Sequence, residues 1–300
     1  MEKPYILHMF TPTPNVSPFD VNMAYDAGCN AVMPYGNVTL EQVSALTQDT
    51  IFSRGPKGVK RTGIFIGGRE IGLAADMLDA AKRAMAPPFE VSVFVDPSGA
   101  FTTAAGMVAC VEKHLKKIHQ TDLSGKNVVV LGGTGPVGAA AAVLASQAGA
   151  RVRIASHTSA SRARMTSEAV NARYGATTEP GDASVVDAKL DMIKGADIIL
   201  GAAKAGMQVL SAQELTSARR LLVAADVNAV PPAGIEGVGM KDDGTPLAAG
   251  SGKAVAIGAL TVGNIKYQVQ RGLLEAMIAA EQPMTIDFRD AFAAARKLTA

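Results

Sequence analysis

The sequence predicts an α/β protein with two domains. Short runs of β-branched residues alternate along the chain with longer helical patterns, which is typical of a parallel sheet covered by helices. A glycine-rich turn, Gly133–Gly138, follows an apolar run and precedes a run of small residues. The length of 300 residues favours two domains of roughly 150 residues each.

The composition indicates a well-folded chain that is not built to bind nucleic acid. Hydrophobic residues make up 48% and charged residues 19%, which suits a large buried core. The 29 basic and 27 acidic residues give a net charge of +2, so neither nucleic acid nor an anionic membrane is the expected main partner. Aromatic residues make up only 5%, with no Trp, which argues against a base-stacking surface.

The cysteines and the N-terminal segment indicate a reducing compartment. Cys29 and Cys110 are too few for a disulfide framework or a four-ligand zinc site, so we expect no metal. Pro4 and His8 interrupt the stretch where a signal peptide would have its apolar core. The sequence has no run of about 20 apolar residues. We therefore expect a cytoplasmic protein.

The first 120 residues predict one α/β domain. Ser17 is the expected N-cap of its first helix, with Pro18 at the first helical position and Asp20 completing a capping box. Thr39 and Gln42 form a second capping box. Strands are predicted at Tyr5–Met9, Asn30–Met33, Gly63–Ile66 and Val91–Val95, and helices from Ser17, over Thr39–Thr47, over Arg69–Met85 and over Thr102–His119.

The polar segment Gln120–Lys126 predicts a linker to a second domain, residues 121–257. The C-terminal helices, within residues 258–300, are expected to return to the first domain and complete it. Strands are predicted at Asn127–Leu131, Arg151–Ala155, Ile198–Leu200, Leu221–Ala225 and Val255–Ile257, and helices up to Ala148, over Ser161–Tyr174, Ser211–Ser217 and Thr261–Ala280, and from about Asp287.

The glycine-rich turn predicts a Rossmann-type dinucleotide site, because it lies between a strand and a helix as that fingerprint requires. Gly133 allows the tight turn, Gly135 lets the pyrophosphate approach the backbone, and Gly138 lets the helix pack closely on the strand. The helix N-terminus offers N–H donors to the phosphates. The alternative is a glycine-rich turn without a ligand. The predicted site comprises Gly133, Thr134, Gly135, Pro136, Val137 and Gly138.

The end of the next strand bears on the choice of nucleotide. NAD-specific sites place Asp or Glu there to bind the ribose 2′-hydroxyl, and this chain has Ser156, His157 and Thr158 instead, with Arg162 and Arg164 beyond. Hydroxyl groups and a guanidinium suit a 2′-phosphate. NADP is therefore admissible and NAD is not excluded. The two arginines can equally belong to an exposed helix face.

Acid–base machinery is sparse in this sequence. It contains no G-x-S-x-G or H-E-x-x-H motif, and its four histidines are scattered. We expect His114 and His119 to be exposed in a lysine-rich helix end, and His8 to be structural. A redox enzyme that moves a hydride and no proton fits this pattern, because the cofactor then carries the chemistry.

Several motifs outside the glycine loop resemble the bacterial NAD(P)-dependent methylene-tetrahydromethanopterin dehydrogenases, and the resemblance covers nearly the whole chain. Within that family the chain is closer to the branch that uses both NAD and NADP. The motifs are HMFTP at residues 8–12, SPFDVNMA at 17–24, RTGIFIGG at 61–68, DVNAVPPAGI at 226–235 and IGALTVGNIKY at 257–267.

The resemblance implies a specific reaction. The enzyme would oxidise methylene-tetrahydromethanopterin to the methenyl cation and reduce NAD(P)+, serving formaldehyde oxidation in bacteria that use one-carbon compounds. It also implies two α/β domains with the active-site cleft between them, and a homo-oligomer, by resemblance a trimer. The hydride leaves a carbon flanked by two nitrogens that stabilise the cation, so no general base is required.

By the same resemblance, Phe19, Asp20 and Lys266 line the pterin pocket. Phe19 would pack on the pterin or nicotinamide face, and Lys266 would hold a polar pterin edge. Each has a structural alternative: core packing for Phe19, a capping-box carboxylate for Asp20 and a solvated helix position for Lys266.

Two further segments are open to either a ligand-binding or a structural role. Asp96–Gly99, with Thr102 and Thr103, follows a strand where α/β sheets bind ligands, yet turn and N-cap chemistry explains it equally well. Asn228 follows the Leu221–Ala225 strand, close to the expected nicotinamide amide, and is otherwise a turn residue. Gly67-Gly68, which also follows a strand, could hold an anion, but we favour a tight turn there.

Three other functions remain compatible with the sequence. One is a methylene-tetrahydrofolate dehydrogenase. Another is a shikimate-type NADP dehydrogenase, which would want a Lys–Asp pair that we do not find on matching elements. The third is a non-catalytic module that senses NAD(P).

Overall fold

The computed structural model describes residues 3–300, and the chain divides into two compact units. The first unit extends to Thr102 and includes Tyr267–Ala294, and the second comprises Thr103–Lys266 and Ala295–Ala300. The strands are β1 (Ile6–Phe10), β2 (Ala31–Tyr35), β3 (Thr62–Ile66), β4 (Ser92–Val95), β5 (Asn127–Leu131), β6 (Arg151–Ser156), β7 (Thr178–Asp182), β8 (Ile198–Gly201), β9 (Val223–Asp226), β10 (Asp243–Pro246), β11 (Val255–Ile257) and β12 (Thr285–Ile286).

Helices cover both sheets. They are α1 (Pro18–Asp26), α2 (Leu40–Phe52), α3 (Gly55–Val59), α4 (Ile71–Arg83), α5 (Ala100–His119), α6 (Pro136–Gln147), α7 (Ala160–Tyr174), α8 (Val186–Lys194), α9 (Ala212–Leu215), α10 (Ala259–Ala279) and α11 (Phe288–Thr299). None of the helices within residues 3–300 is long and apolar enough to cross a membrane.

The first unit contains a five-stranded parallel sheet in the order β12-β4-β3-β1-β2. Every residue of β3 and β4 is buried, as expected for central strands of a parallel sheet with helices on both faces. All four predicted strands of this region are present, each within two residues of the expected bounds. The short strand β12, which pairs with β4, was not predicted.

The expected capping box at the start of α1 is not formed. Ser17 is the N-cap and Pro18 begins the helix, but the Ser17 side chain makes no capping hydrogen bond. The Asp20 carboxylate instead accepts a hydrogen bond from Gln270 of α10, at 2.8 Å. At α2 the Gln42 Oε1 atom accepts from the Thr39 backbone N–H at 2.9 Å, as predicted.

The second unit contains a seven-stranded sheet in the order β10-β11-β9-β8-β5-β6-β7, in which only the β10–β11 pairing is antiparallel. The chain proceeds from β5 to β6 and β7 on one side, then crosses to β8 and β9 on the other. This reversal between β5 and β8 is a topological switch point, where open α/β sheets bind ligands. The predicted α/β fold class is confirmed.

Three elements of the second unit were not predicted: β7, α8 and β10. The β7 sequence, TEPGD, is polar and contains Pro and Gly, yet it pairs with β6 along its whole length. Edge strands tolerate such residues, and β7 lies at the edge of the sheet.

The prediction that His114 is exposed is wrong. His114 is only 2% exposed, and its Nε2 atom lies 2.6 Å from the Asp243 carboxylate on β10. The Lys113 ammonium contacts the same carboxylate at 2.8 Å. The sequence did not predict β10, so it could not show that this strand covers His114 on α5. These contacts fasten the β10–β11 hairpin to α5.

Asp96, at the carboxyl end of β4, initiates α5. Its buried Oδ1 atom accepts from the backbone N–H groups of Phe101 (2.9 Å) and Thr102 (3.3 Å), and its Oδ2 atom accepts from the Thr102 hydroxyl at 2.6 Å. A carboxylate bound to orphan N–H groups of a first helical turn is an N-cap interaction. The N-cap interpretation of the Asp96–Gly99 segment therefore accounts for Asp96.

We predict that Asp96→Ala lowers the free energy of unfolding by about 2–4 kcal/mol, because α5 loses its cap and buried N–H groups lose their acceptor. Urea unfolding followed by circular dichroism measures this change. Asp49→Ala, at an exposed position of α2, is the matched control and should change stability by less than about 0.5 kcal/mol. Equal stability of the two variants would contradict the capping role.

Candidate functional site

Three glycines are required by close backbone packing: Gly132 and Gly133 follow β5, and Gly138 lies in the first turn of α6. A Cβ atom at Gly132, which has a φ of +76°, would lie 2.5 Å from the backbone nitrogen of Ala203. At Gly133 it would lie 2.8 Å from the Val130 carbonyl oxygen, and at Gly138 2.6 Å from the Gly132 carbonyl oxygen. The folded loop therefore excludes side chains at all three positions.

Gly135 differs from these three glycines because packing does not explain it. A Cβ atom there would meet nothing closer than the Gly132 carbonyl oxygen at 3.4 Å, and its φ of −83° is open to any residue. It is the N-cap of α6, and Pro136 occupies the first turn, where its missing N–H costs nothing. The first-turn N–H groups of Val137 and Gly138 have no acceptor within the helix. A ligand that approaches this backbone closely would explain the glycine.

Hydroxyl groups organise the turn after β6. The buried Ser156 Oγ atom accepts from the backbone N–H groups of Thr158 (3.2 Å) and Ser159 (3.3 Å). Ser159 caps α7 by accepting from the Arg162 N–H at 3.2 Å. This arrangement leaves the side chains of His157, Thr158 and Arg162 exposed, so they are accessible to a ligand at the carboxyl end of β6.

One carboxylate near this turn was missed by the sequence analysis. Asp182 ends β7 and is paired in register with Ser156 of β6. Hydrogen bonds from the Ser184 hydroxyl and backbone N–H hold the pKa of Asp182 below its usual range. The fingerprint places the acidic residue at the end of β6, whereas Asp182 ends β7, a strand that the sequence did not predict.

The segment after β8, residues 202–207, packs against the glycine loop on the other side of the switch point. The Gly206 N–H donates to the Asn228 Oδ1 atom at 3.1 Å, and the Asn228 Nδ2 atom donates to the Pro232 carbonyl at 2.9 Å. Asn228 is thus a buried residue that ties two loops together. A direct contact to nicotinamide remains a prediction.

Asp226, at the end of β9, holds the loop that contains Asn228. Its carboxylate accepts from the backbone N–H groups of Asn228 and Ile235, each at 3.0 Å. Burial raises the pKa of Asp226 above its ordinary value. A Cβ atom at Gly234 would lie 2.7 Å from this carboxylate. The glycine therefore allows the loop to approach the Asp226 carboxylate closely.

The first unit has a cavity of about 410 Å³ at the carboxyl ends of its central strands. Its lining residues are both apolar and polar and include one acidic and one basic residue, Asp20 and Arg69. Its lining residues include Met9, Phe10, Thr11, Thr13, Asn15, Ser17, Asp20, Phe65, Gly67, Gly68, Arg69 and Ser98. Strand ends of this kind are the usual binding edge of an α/β sheet.

The residues assigned to pterin binding lie on α1 and α10. The Phe19 side chain is 44% exposed, which contradicts the core-packing alternative, whereas Asp20 is 4% exposed and lines the cavity. Lys266 is half-buried on α10. It precedes Gln270 by four residues, so both occupy the same helix face. Gln270, which contacts Asp20, was not found from the sequence because nothing local marks it.

The switch point, the glycine loop and the open position at Gly135 are typical of a dinucleotide-binding α/β protein. Residues 18–98 match the family model "Methylene-tetrahydromethanopterin dehydrogenase, N-terminal". The chain is 48% identical, over 96% of both chains, to the NAD(P)-dependent methylenetetrahydromethanopterin dehydrogenase of Methylorubrum extorquens. It is 30% identical to the bifunctional protein MdtA of the same bacterium, over 92% of this chain and 93% of that protein. The chain therefore belongs to the methylene-tetrahydromethanopterin dehydrogenase family.

Among solved structures, the NAD-dependent malic enzyme of Thermotoga maritima is similar in fold. The TM-score is 0.59 at 15% sequence identity, and the match covers 98% of this chain and 84% of that one. This likeness supports the α/β architecture.

We predict that Gly135→Val abolishes binding of both NAD and NADP while the protein stays folded, because its side chain occupies space that the fold leaves open. Isothermal titration measures the binding and circular dichroism the fold. Gly72→Ala, at a helical position with nothing within 4 Å of the added carbon, is the control and should bind normally. Cofactor affinity of wild-type strength in Gly135→Val would place the dinucleotide elsewhere.

We predict that His157→Arg raises the preference for NADP over NAD. An arginine there would add a charge-assisted hydrogen bond to the 2′-phosphate, about 1.5–3 kcal/mol or roughly ten- to hundredfold, and nothing for NAD. The ratio of kcat/KM for the two cofactors, at fixed salt, measures the effect. Gln48→Arg, exposed on α2, controls for net charge. An unchanged ratio would mean that the turn after β6 is not at the adenosine ribose or that Arg162 already supplies the contact.

Proposed function

We propose that this protein transfers a hydride from 5,10-methylene-tetrahydromethanopterin to NAD+ or NADP+, giving the methenyl cation. The observation that carries the proposal is the relationship of 48% identity over 96% of the chain to an NAD(P)-dependent dehydrogenase of that substrate. The glycine loop supports it independently, since Gly135 leaves room at the backbone for a pyrophosphate.

The reaction suits a site with few acid–base groups. The C–H bond of the one-carbon bridge breaks, its electron pair and hydrogen pass to C4 of the nicotinamide, and no proton is released. The bridge is oxidised from methylene to methenyl and the nicotinamide is reduced. The protein must hold the two carbons in contact, exclude water and stabilise charge.

We assign the two ligands to different sites. The nucleotide binds at the glycine loop, with Thr134 and Val137 beside the phosphates and with Ser156, His157, Thr158 and Arg162 at the adenosine ribose. The pterin binds at the cavity of the first unit. Phe19 packs against a ring face, Asp20 lines the cavity, and Lys266 binds a polar edge of the pterin. The 44% exposure of Phe19 supports its role.

One experiment separates this function from its alternatives. Purified protein is assayed with methylene-tetrahydromethanopterin and with methylene-tetrahydrofolate, each with NAD+ and with NADP+. We expect turnover of the methanopterin substrate with both cofactors. Turnover of the folate substrate alone would favour a folate enzyme, and cofactor binding without turnover of either pterin would favour a sensing module.

We also propose a cytoplasmic homo-oligomer that serves formaldehyde oxidation, following the family resemblance. Light scattering of the purified protein against its monomer mass of 30.9 kDa tests the assembly, for which we expect a trimer.

We predict that Lys266→Ala lowers kcat/KM for the pterin by about 100-fold or more, because a polar edge of the substrate loses its partner. Nucleotide affinity should stay within about twofold of the wild type, since the glycine loop is untouched. Lys253→Ala is the control. It removes an exposed lysine that precedes β11 and therefore lies at the amino end of that strand. Normal pterin turnover by Lys266→Ala would show that Lys266 does not bind the substrate and is only a surface residue.

A further inference from the structure

A buried amide holds the carboxylate that faces the cavity of the first unit. Gln270 is fully buried on α10, and its Nε2 atom donates to Asp20 Oδ1 at 2.8 Å. Asp20 is itself 4% exposed and lines the cavity. Because buried polar groups are costly without partners, this contact restricts where the carboxylate can lie.

The charge of Asp20 matters for the proposed reaction, on which this inference rests. Departure of the hydride leaves a positive charge spread over the one-carbon bridge and its two nitrogens. A buried carboxylate such as Asp20, at 4% exposure, stabilises such a charge as it develops, and does so more strongly than a carboxylate in bulk water.

We propose that Gln270 is a positioning residue for hydride transfer: its amide holds the ionised Asp20 carboxylate toward the one-carbon bridge of the substrate. Gln270 does not touch the substrate in this arrangement and acts through Asp20. It thereby affects the transition state, in which the positive charge develops, more than it affects binding of the uncharged bridge.

A purely structural tie between α1 and α10 is the competing explanation, and a double-mutant cycle distinguishes the two. Asp20→Asn removes the charge at nearly constant size, and Gln270→Met removes the donor at similar volume. We expect each single variant to lower kcat by about 10- to 100-fold, with little change in pterin KM or in cofactor affinity. The kcat of the double variant should lie within about twofold of the lower of the two single-variant kcat values. The reason is that Gln270 acts only through Asp20.

The measurement is kcat and KM at saturating cofactor for all four proteins, with thermal unfolding to establish that each is folded. Gln48→Met, at an exposed position of α2, is the matched control and should retain wild-type kcat. If Gln270→Met does not fold, Gln270→Asn takes its place, since its shorter amide cannot reach Asp20 without moving, and the same loss of kcat is expected.

Two outcomes would overturn the proposal. A wild-type kcat in a folded Gln270 variant would show that the amide has no role in the reaction. Multiplicative losses in the double variant would show that the two residues act separately. If the wild-type protein turns over neither pterin, both the proposed function and the role of Gln270 are wrong. If the wild-type protein turns over the pterin and the Gln270 variant has the same kcat, only the role of Gln270 is wrong.

Discussion

Close packing of backbone atoms at the carboxyl end of β5 constrains the whole second unit. Gly132 lets the segment after β8 approach its own peptide, and Gly138 lets the first turn of α6 lie on that peptide. A side chain at either glycine would push apart the elements that flank the switch point. The fourth glycine, Gly135, faces the space that this packing leaves. The geometry of the fold thus creates the open backbone that a dinucleotide requires.

Two buried carboxylates of the first unit show how similar groups acquire different roles. Asp96 has its oxygens bound by N–H and hydroxyl groups of the first turn of α5, so its burial is offset within the scaffold. Asp20 is bound by a side-chain amide from another helix and also borders the cavity. Both lie near the carboxyl ends of the sheet, but only Asp20 adjoins the space available to a ligand.

Sequence patterns predicted the features whose causes are local. The glycine loop, the Thr39–Gln42 contact and the central strands depend on residues close together in the chain, and all are present. The failures have non-local causes. Asp20 satisfies the spacing of a capping box but binds a residue 250 positions away. His114 has lysines around it in sequence, yet β10 covers it. The contribution of Gln270 to the candidate site was unpredictable for the same reason.

The charge balance of the reaction limits what each polar residue of the pterin site can do. Hydride transfer removes the positive charge of the nicotinamide and creates one on the one-carbon bridge. A lysine beside that bridge would oppose the reaction, whereas a carboxylate would favour it. Lys266 and Gln270 share a face of α10, one turn apart. The helix therefore presents a cation and the amide that holds an anion within one turn. Under the proposed function, Asp20 is therefore the group expected at the bridge, and Lys266 is the group expected at a carbonyl edge of the pterin, where a cation is favourable.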